Sequence, residues 1–437
     1  MAKRRTTIPE VPLTRLQLRP AASFAPVIGA GAQAIAARVE EMHQAIAGTA
    51  FDSLKQLPGL TLPTRIVQGV HDAITQGVYA GVRRGVSAAT SMAAEGERLA
   101  SGADHRAGPR EQMLRSALNG AFGDTLAATG SALAATMTLF DAHGPLSFAA
   151  LPSPAAELGA RVCVFVHGLA CDEMSWQIRA DAWSTSPWAT TLPEGVAIRY
   201  GALLEQESGC TALYLRYNSG LAIDANAAQL AQLLDDLARA APQIESWVLV
   251  GHSMGGLVAR EAHAQACEQR LAWARRVKMI VCLGTPHQGA PLAKVGHTVA
   301  AALALSEVTL PLARLADARS RGIKDLRKGR TGVRDFARGS AAARPSFAGD
   351  TFAAPALRLV YGRLGDGESG GAESWVGSVL GDGLVHAASA SDTSRSVADA
   401  QAADIERVEL PGLGHMALLN HPRVYALIRD WLIAPAG

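Results

Sequence analysis

Between Arg161 and Pro291 four short apolar runs alternate with helical patterns, and this alternation constrains the fold more than any other feature of the chain. The runs are Val162–Val166 (VCVFV), Ala212–Tyr217 (ALYLRY), Trp247–Val250 (WVLV) and Val277–Leu283 (VKMIVCL). Strands that are apolar along nearly their whole length, rather than at every second residue, are buried on both faces. Helical segments between them supply the cover. One of these carries Leu230, Leu233, Leu234 and Leu237 along a single face. The pattern predicts an α/β fold with a mostly parallel central sheet flanked by helices. It resumes late in the chain at Leu357–Gly362 and Ile405–Leu410, and a last helix follows His421.

Outside that core lie two further zones. Residues 1–150 lack strand-like alternation, are rich in Ala and Gly, and read as an all-helical N-terminal extension preceding a catalytic domain over 151–437. Within the extension Arg115–Phe140 reads as one long helix. Another follows Pro63, where Gly69-Val70, Ala73-Ile74, Gly77-Val78, Gly81-Val82 and Gly85-Val86 repeat a small and a β-branched residue every fourth position. Such a ridge permits close approach of another backbone or of a lipid surface. Asp72, Arg83 and Arg84 interrupt the faces, which favours packing on neighbouring helices over peripheral membrane contact. The second zone is an Ala/Arg/Lys-rich insertion over 292–355.

Charge and cysteine content narrow the function. Lys and Arg total 41 against 39 Asp and Glu, for a net charge of +2, with no basic stripe of the kind that binds nucleic acid. The five cysteines, Cys163, Cys171, Cys210, Cys267 and Cys282, form no C-x-x-C pair or Cys/His cluster. They read as free thiols in a reducing, cytoplasmic setting, with no structural metal. The stretch after the basic N-terminus is too poor in dense apolar residues for a secretory leader.

The chemistry concentrates at Gly251-His252-Ser253-Met254-Gly255-Gly256, which joins the Trp247–Val250 strand to a helix. A sharp strand-to-helix turn needs small residues around its apex and lifts the serine hydroxyl to a helix N-terminus, so Ser253 is the candidate nucleophile. The earlier strand ends in His167-Gly168-Leu169, and the backbone N–H groups of Leu169 and Met254 are the candidate oxyanion donors. A general base is expected late in the chain. His415, in Pro411-Gly412-Leu413-Gly414-His415, follows a strand, whereas His421 precedes Pro422 and suits a capping role. For the orienting acid, Asp382 is preferred because the apolar Leu384-Val385 anchors its turn; Asp366, in a hydrophilic Gly-rich tip, is the alternative.

Together, Val166-His167-Gly168-Leu169, the Ser253 motif, Gly284-Thr285-Pro286-His287-Gln288-Gly289 and Gly381-Asp382-Gly383-Leu384-Val385 resemble the lipases and esterases of the α/β-hydrolase superfamily. The Thr-Pro-His-x-Gly stretch is similar to bacterial lipases and to the glycosylphosphatidylinositol-anchor deacylases, and Arg216-Tyr217-Asn218-Ser219-Gly220 is similar to bacterial members. The resemblance spans Arg161 to the C-terminus. It implies an α/β-hydrolase fold with catalytic order Ser253, Asp382, His415, no cofactor, and a structural role for His287. It also implies that 292–355 enters as a helical lid, with Leu305, Val308, Leu310, Leu312 and Leu315 lining an acyl pocket or packing plainly. The expected substrate is a small-molecule or lipid ester. Thioester hydrolysis, acyl transfer and a lipid- or granule-associated scaffold are the rival readings.

Overall fold

The computed structural model describes residues 61–101, 109–128, 133–146, 158–288, 320–328, 354–363 and 404–433, with positions 40, 44, 47–48, 51–52, 54–56, 130–131 and 385. In chain order the elements are α1 (Thr61–Ser101), α2 (Pro109–Ala128), β1 (Thr138–Phe140), β2 (Arg161–Val166), α3 (Tyr200–Ser208), β3 (Thr211–Arg216), α4 (Ile223–Ala240), β4 (Ser246–His252), α5 (Met254–Glu268), β5 (Val277–Leu283), α6 (Arg321–Lys328), β6 (Ala356–Arg363), β7 (Ile405–Pro411) and α7 (Pro422–Ile433). Short 3-10 turns include Glu173–Gln177 and His415–Leu419.

The seven strands form one sheet in the order β1-β3-β2-β4-β5-β6-β7. Only the β1–β3 pairing is antiparallel; the rest are parallel. The chain runs outward from β2 to β3, then crosses back to lay β4 on the other side of β2. Where strand order reverses in this way, the loops at the carboxyl ends of the two strands part and leave a crevice. Val166 of β2 stands in register with Gly251 of β4, so the loops after both strands open at the same place.

Burial follows the apolar runs. Val162 to Val166 and Trp247, Leu249 and Val250 are essentially inaccessible to solvent. Each fully buried Val, Leu or Phe contributes roughly 1.5–3 kcal/mol, which explains why these strands carry no polar face. On α4 the buried residues Ile223, Asn226, Ala227, Leu230, Ala231, Leu234 and Leu237 recur at three- and four-residue spacing. Trp273 locks this helix by donating its indole N–H to Ala231 O at 3.1 Å.

By contact density the chain divides at Gly108/Pro109 rather than near residue 150. The expected single helix over Arg115–Phe140 is also corrected: α2 stops at Ala128, and Gly130 adopts a positive φ of 64°. The chain then returns as the edge strand β1, with Leu139 opposite Leu215 of β3. Asn119 holds the return, its amide donating to Leu133 O at 2.8 Å and its Oδ1 accepting from Ala135 N at 2.8 Å. Composition disguised this because Ala- and Thr-rich sequence is weakly apolar in either conformation, and the tertiary anchor decides.

The unit over residues 1–108 is described by its own contacts. Phe51 packs edge-on against His71 with ring centroids 5.3 Å apart, and Thr61 donates to Lys55 O at 3.1 Å. Thr64 and Thr75 of α1 are buried, whereas Leu62, Ile66, Val67, Val70, Ile74 and Val78 are each more than half exposed. Along this helix two threonines are thus enclosed, while branched residues from Leu62 to Val78 are exposed. Among the described residues no helix is long and apolar enough to cross a membrane.

A chain beginning at Pro109 is expected to unfold cooperatively, with the midpoint of the second unit unchanged. One beginning at residue 151 loses β1 and the Asn119 bridge and is expected to melt roughly 5 °C lower or more, since about 1 kcal/mol moves a domain of this size by 2–4 °C. Thermal denaturation of the two truncations beside the full chain checks this.

Candidate active site

A single residue separates β4 from α5. That residue is Ser253, with φ 54° and ψ −124°. A side-chain-bearing residue in such a region carries of order 1–3 kcal/mol of strain and persists only where its surroundings over-determine it. Here they do. The Ser253 amide donates to Leu283 O of β5 at 2.8 Å. A methyl on Gly255 would stand 2.1 Å from Val166 O, and one on Gly256 would stand 2.0 Å from Thr285 Oγ1. Those two positions accept no side chain without moving β2 or the loop after β5. Met254, wholly buried, is the first residue of α5. Its amide has no acceptor within the helix and lies at the positive end of the helix dipole.

The turn after β2 packs directly on this apex. A methyl on Gly168 would meet Ser253 Cβ at 3.0 Å, so the residue preceding Leu169 lies against the serine. Ala170 is held at φ 59°, and its amide donates to Ser219 Oγ at 3.0 Å. His167 braces the same turn. Its Nδ1 lies 2.8 Å from Gly168 O, and its Nε2 accepts from the Tyr217 amide at 3.4 Å. Because a carbonyl only accepts, the proton sits on Nδ1 and the ring is neutral. Tyr217 stacks on that ring at 4.3 Å and donates its hydroxyl to His167 O at 2.8 Å. Burial holds the His167 pKa down to about 4, opposed by the Gly168 hydrogen bond and the charge of Asp172 and assisted by Arg216. Tyr217 and Ser219 are supports that the sequence reading missed as such. They sit in the Arg216–Gly220 run, which had been noted only for its resemblance.

The third part comes from the far end of the chain. β7 leads through Gly412, at φ 77°, into the 3-10 turn that starts at His415. His415 is buried, and its ring lies 4.7 Å from that of His252, centroid to centroid. The structure thus brings His415 against the residue preceding Ser253. His421 sits apart from this cluster: its Nδ1 accepts from the Arg423 amide at 3.2 Å at the start of α7. His287 follows the buried Thr285 and faces Arg260 of α5, Nη1 to Nδ1 2.5 Å.

Asp382 and Asp366 lie outside the described residues. Nearest to Asp382, Val385 is buried. Leu305, Val308, Leu310, Leu312 and Leu315 of the insertion are likewise outside. Its described helix, α6, is anchored at its base: Ser320 donates to Gly120 O at 2.7 Å, Asp325 accepts from the Ile223 amide at 3.1 Å, and Ile323 and Leu326 are buried. A methyl on Gly322 would stand 2.3 Å from Ser219 O, so this helix presses on the residue that holds the Ala170 turn.

Residues 209–326, which include β4, the Ser253 turn and β5, match the family described as PGAP1-like alpha/beta domain. Over those residues the chain is similar to that family. No curated protein matches it. Among solved structures, the mature Bacillus licheniformis lipase BlEst2 is 18% identical over 68% of this chain and 98% of its own, with a TM-score of 0.40. A thermophilic esterase from Thermogutta terrifontis is 16% identical over 68% and 92%, TM-score 0.34. A lipase-esterase related protein from Clostridium acetobutylicum is 10% identical over 68% and 98%, TM-score 0.36.

Two buried histidines are expected to make the stability of this chain pH-dependent. Burial lowers His167 and His263 each from 6.5 to about 4. Both pKa values are depressed on folding, so their contribution is complete above about pH 6.5 and is lost as pH falls toward 4. At about 1.4 kcal/mol per pKa unit, each histidine contributes of order 3 kcal/mol across that window. Urea midpoints measured from pH 7.5 to 4.5, as the window requires, are expected to fall steadily. His263→Gln is expected to flatten the slope by about one proton.

Proposed function

We propose that this chain is a serine ester hydrolase in which Ser253 is the nucleophile, His415 the general base and Asp382 the orienting acid. The observation that carries the proposal is the strained Ser253 apex, which stands at the N-terminus of α5 with the Gly168–Leu169 turn packed on its Cβ. A serine held only for a tight turn would not require the positive φ that glycine adopts freely. In this reading the backbone amides of Leu169 and Met254 are the donors that receive the negative oxygen.

The chemistry runs in two halves. His415 takes the Ser253 proton as the oxygen attacks the ester carbonyl carbon, and the carbonyl oxygen gathers charge against the Leu169 and Met254 amides. Collapse expels the alcohol, which leaves with the proton from His415, and the acyl group remains on Ser253. Water, deprotonated by His415, then attacks the acyl carbon and releases the acid. Asp382, which falls between β6 and β7 in the sequence, holds the imidazole in one tautomer and stabilises its charged form. Every step uses side chains and amides of this chain.

Hydrolysis of p-nitrophenyl esters across acyl lengths tests the reading. Ser253→Ala is expected to lower kcat by about 10⁴-fold or more. Asp382→Asn should cost about 10²–10⁴-fold, with Asp366→Asn within a few-fold of the unmodified chain. The reverse order for the two aspartates would move the acid to Asp366. Equal activity with and without Ser253 would end the proposal. Turnover of thioesters, or ester formation from an added alcohol, exceeding ester hydrolysis would assign the same residues to thioesterase or acyltransferase chemistry.

A second proposal rests on α1. Its outward ridge of Leu62, Ile66, Val70, Ile74 and Val78, each more than half exposed, forms a charge-free row at four-residue spacing. We propose that this face meets a lipid surface, as amphipathic interfacial helices do. Co-sedimentation of the full chain with phosphatidylcholine–phosphatidylglycerol vesicles is expected, and is expected to be lost with Ile66, Val70 and Ile74 all changed to Ser. Recovery of the unmodified chain only in the supernatant would count against it.

A further inference from the structure

His252 precedes the serine and has no part in the hydrolysis described above. It ends β4 and is 1% exposed. Its Nε2 lies 3.0 Å from the carbonyl oxygen of His415, 163 residues away in the chain. The carbonyl can only accept, so the ring carries a proton on Nε2 and donates it to that oxygen. The two imidazoles are tilted by 52° at 4.7 Å, and the edge of Trp176 closes another side at 6.5 Å. A methyl on Gly168 would stand 3.2 Å from His252 Nδ1, so the ring also borders the turn after β2. One side chain thus touches the backbone of His415 and the turn carrying Leu169, and it is bonded through its own main chain to Ser253.

The geometry matters because the approach to His415 is built from small residues. Gly412 takes φ 77° and Gly414 directly precedes the histidine. Glycine-rich backbone has the widest conformational range, and the Nε2–H of His252 ties the start of the 3-10 turn at His415 from outside that turn. A displacement of about 1 Å in a reacting group lowers rates by about 10²-fold.

We infer that His252 is a positioning residue for His415, its Nε2–H holding the His415 carbonyl and so setting the imidazole relative to Ser253. This rests on the reading of Ser253 as nucleophile and His415 as base, and the test separates the two. The unmodified chain, His252→Met, His252→Gln and Ser253→Ala are compared in p-nitrophenyl ester turnover and in the rate of covalent labelling by a fluorophosphonate. His252→Met keeps bulk but loses the donor. Its kcat and labelling rate are expected to fall about 10–100-fold with KM within a few-fold, and His252→Gln, whose amide N–H reaches the place of Nε2, is expected to recover most of the loss. Unchanged kcat in His252→Met, or equal losses for Met and Gln, would overturn the inference while Ser253-dependent labelling leaves the hydrolase reading intact. Labelling that is absent from the unmodified chain, or that survives Ser253→Ala, would overturn both. Should His252→Met not fold by circular dichroism, His252→Gln carries the test: kcat within about tenfold and an unmoved acidic limb of kcat/KM support positioning, and a fall as deep as that of Ser253→Ala overturns it.

Discussion

Steric exclusion around one strained residue organises this molecule. Ser253 takes a backbone conformation unfavourable for a residue with a Cβ, and the surrounding chain removes every easier alternative. The β5 carbonyl of Leu283 holds its amide, while β2 and Thr285 press against Gly255 and Gly256 so closely that neither could carry a methyl. These contacts join three parallel strands and the first turn of α5. The sheet's strand order, reversing between β2 and β4, is what brings those ends together.

Support for the turn after β2 arrives in layers from distant parts of the chain. Tyr217 stacks on His167, and Ser219 accepts from Ala170. Behind Ser219 stands Gly322 of α6, and beside α6 stands α2, through Ser320 and Gly120. Asn119 of α2 in turn fixes the segment leading to β1. Residues 109–140 are therefore part of the second unit in the physical sense: removing them would loosen the contacts that back the Gly168 turn. The same layering shows what the described end of the 292–355 insertion does. Its described helix is held in the second unit by the buried Ile323 and Leu326.

Electrostatics follow the same division of labour. His167 is buried and stacked, so it stays neutral and acts as a brace. His415 sits at the end of a Gly-rich approach, against the ring of His252. Both histidines are buried, His167 stacked on Tyr217 and His415 at the start of a 3-10 turn. α1 stands outside this scheme, with a branched ridge facing outward and threonines turned in.

Much of this was legible in the residues themselves. Continuous apolar strands separated by amphipathic helices can be satisfied only by a doubly covered parallel sheet, and glycines flanking a serine at a strand end permit only a sharp turn. Those are local requirements, set by burial and by sterics within a few residues, and so the sequence determined the fold class, the Ser253 apex and the capping role of His421. The tertiary structure alone decided where the second unit begins, because a Thr- and Ala-rich segment becomes an edge strand only when Asn119 and β3 hold it. It alone decided that Tyr217, Ser219 and His252 pack around the turns at Gly168 and Ser253, since each does so through a partner tens to hundreds of residues away, and no local pattern records a contact made across such a distance.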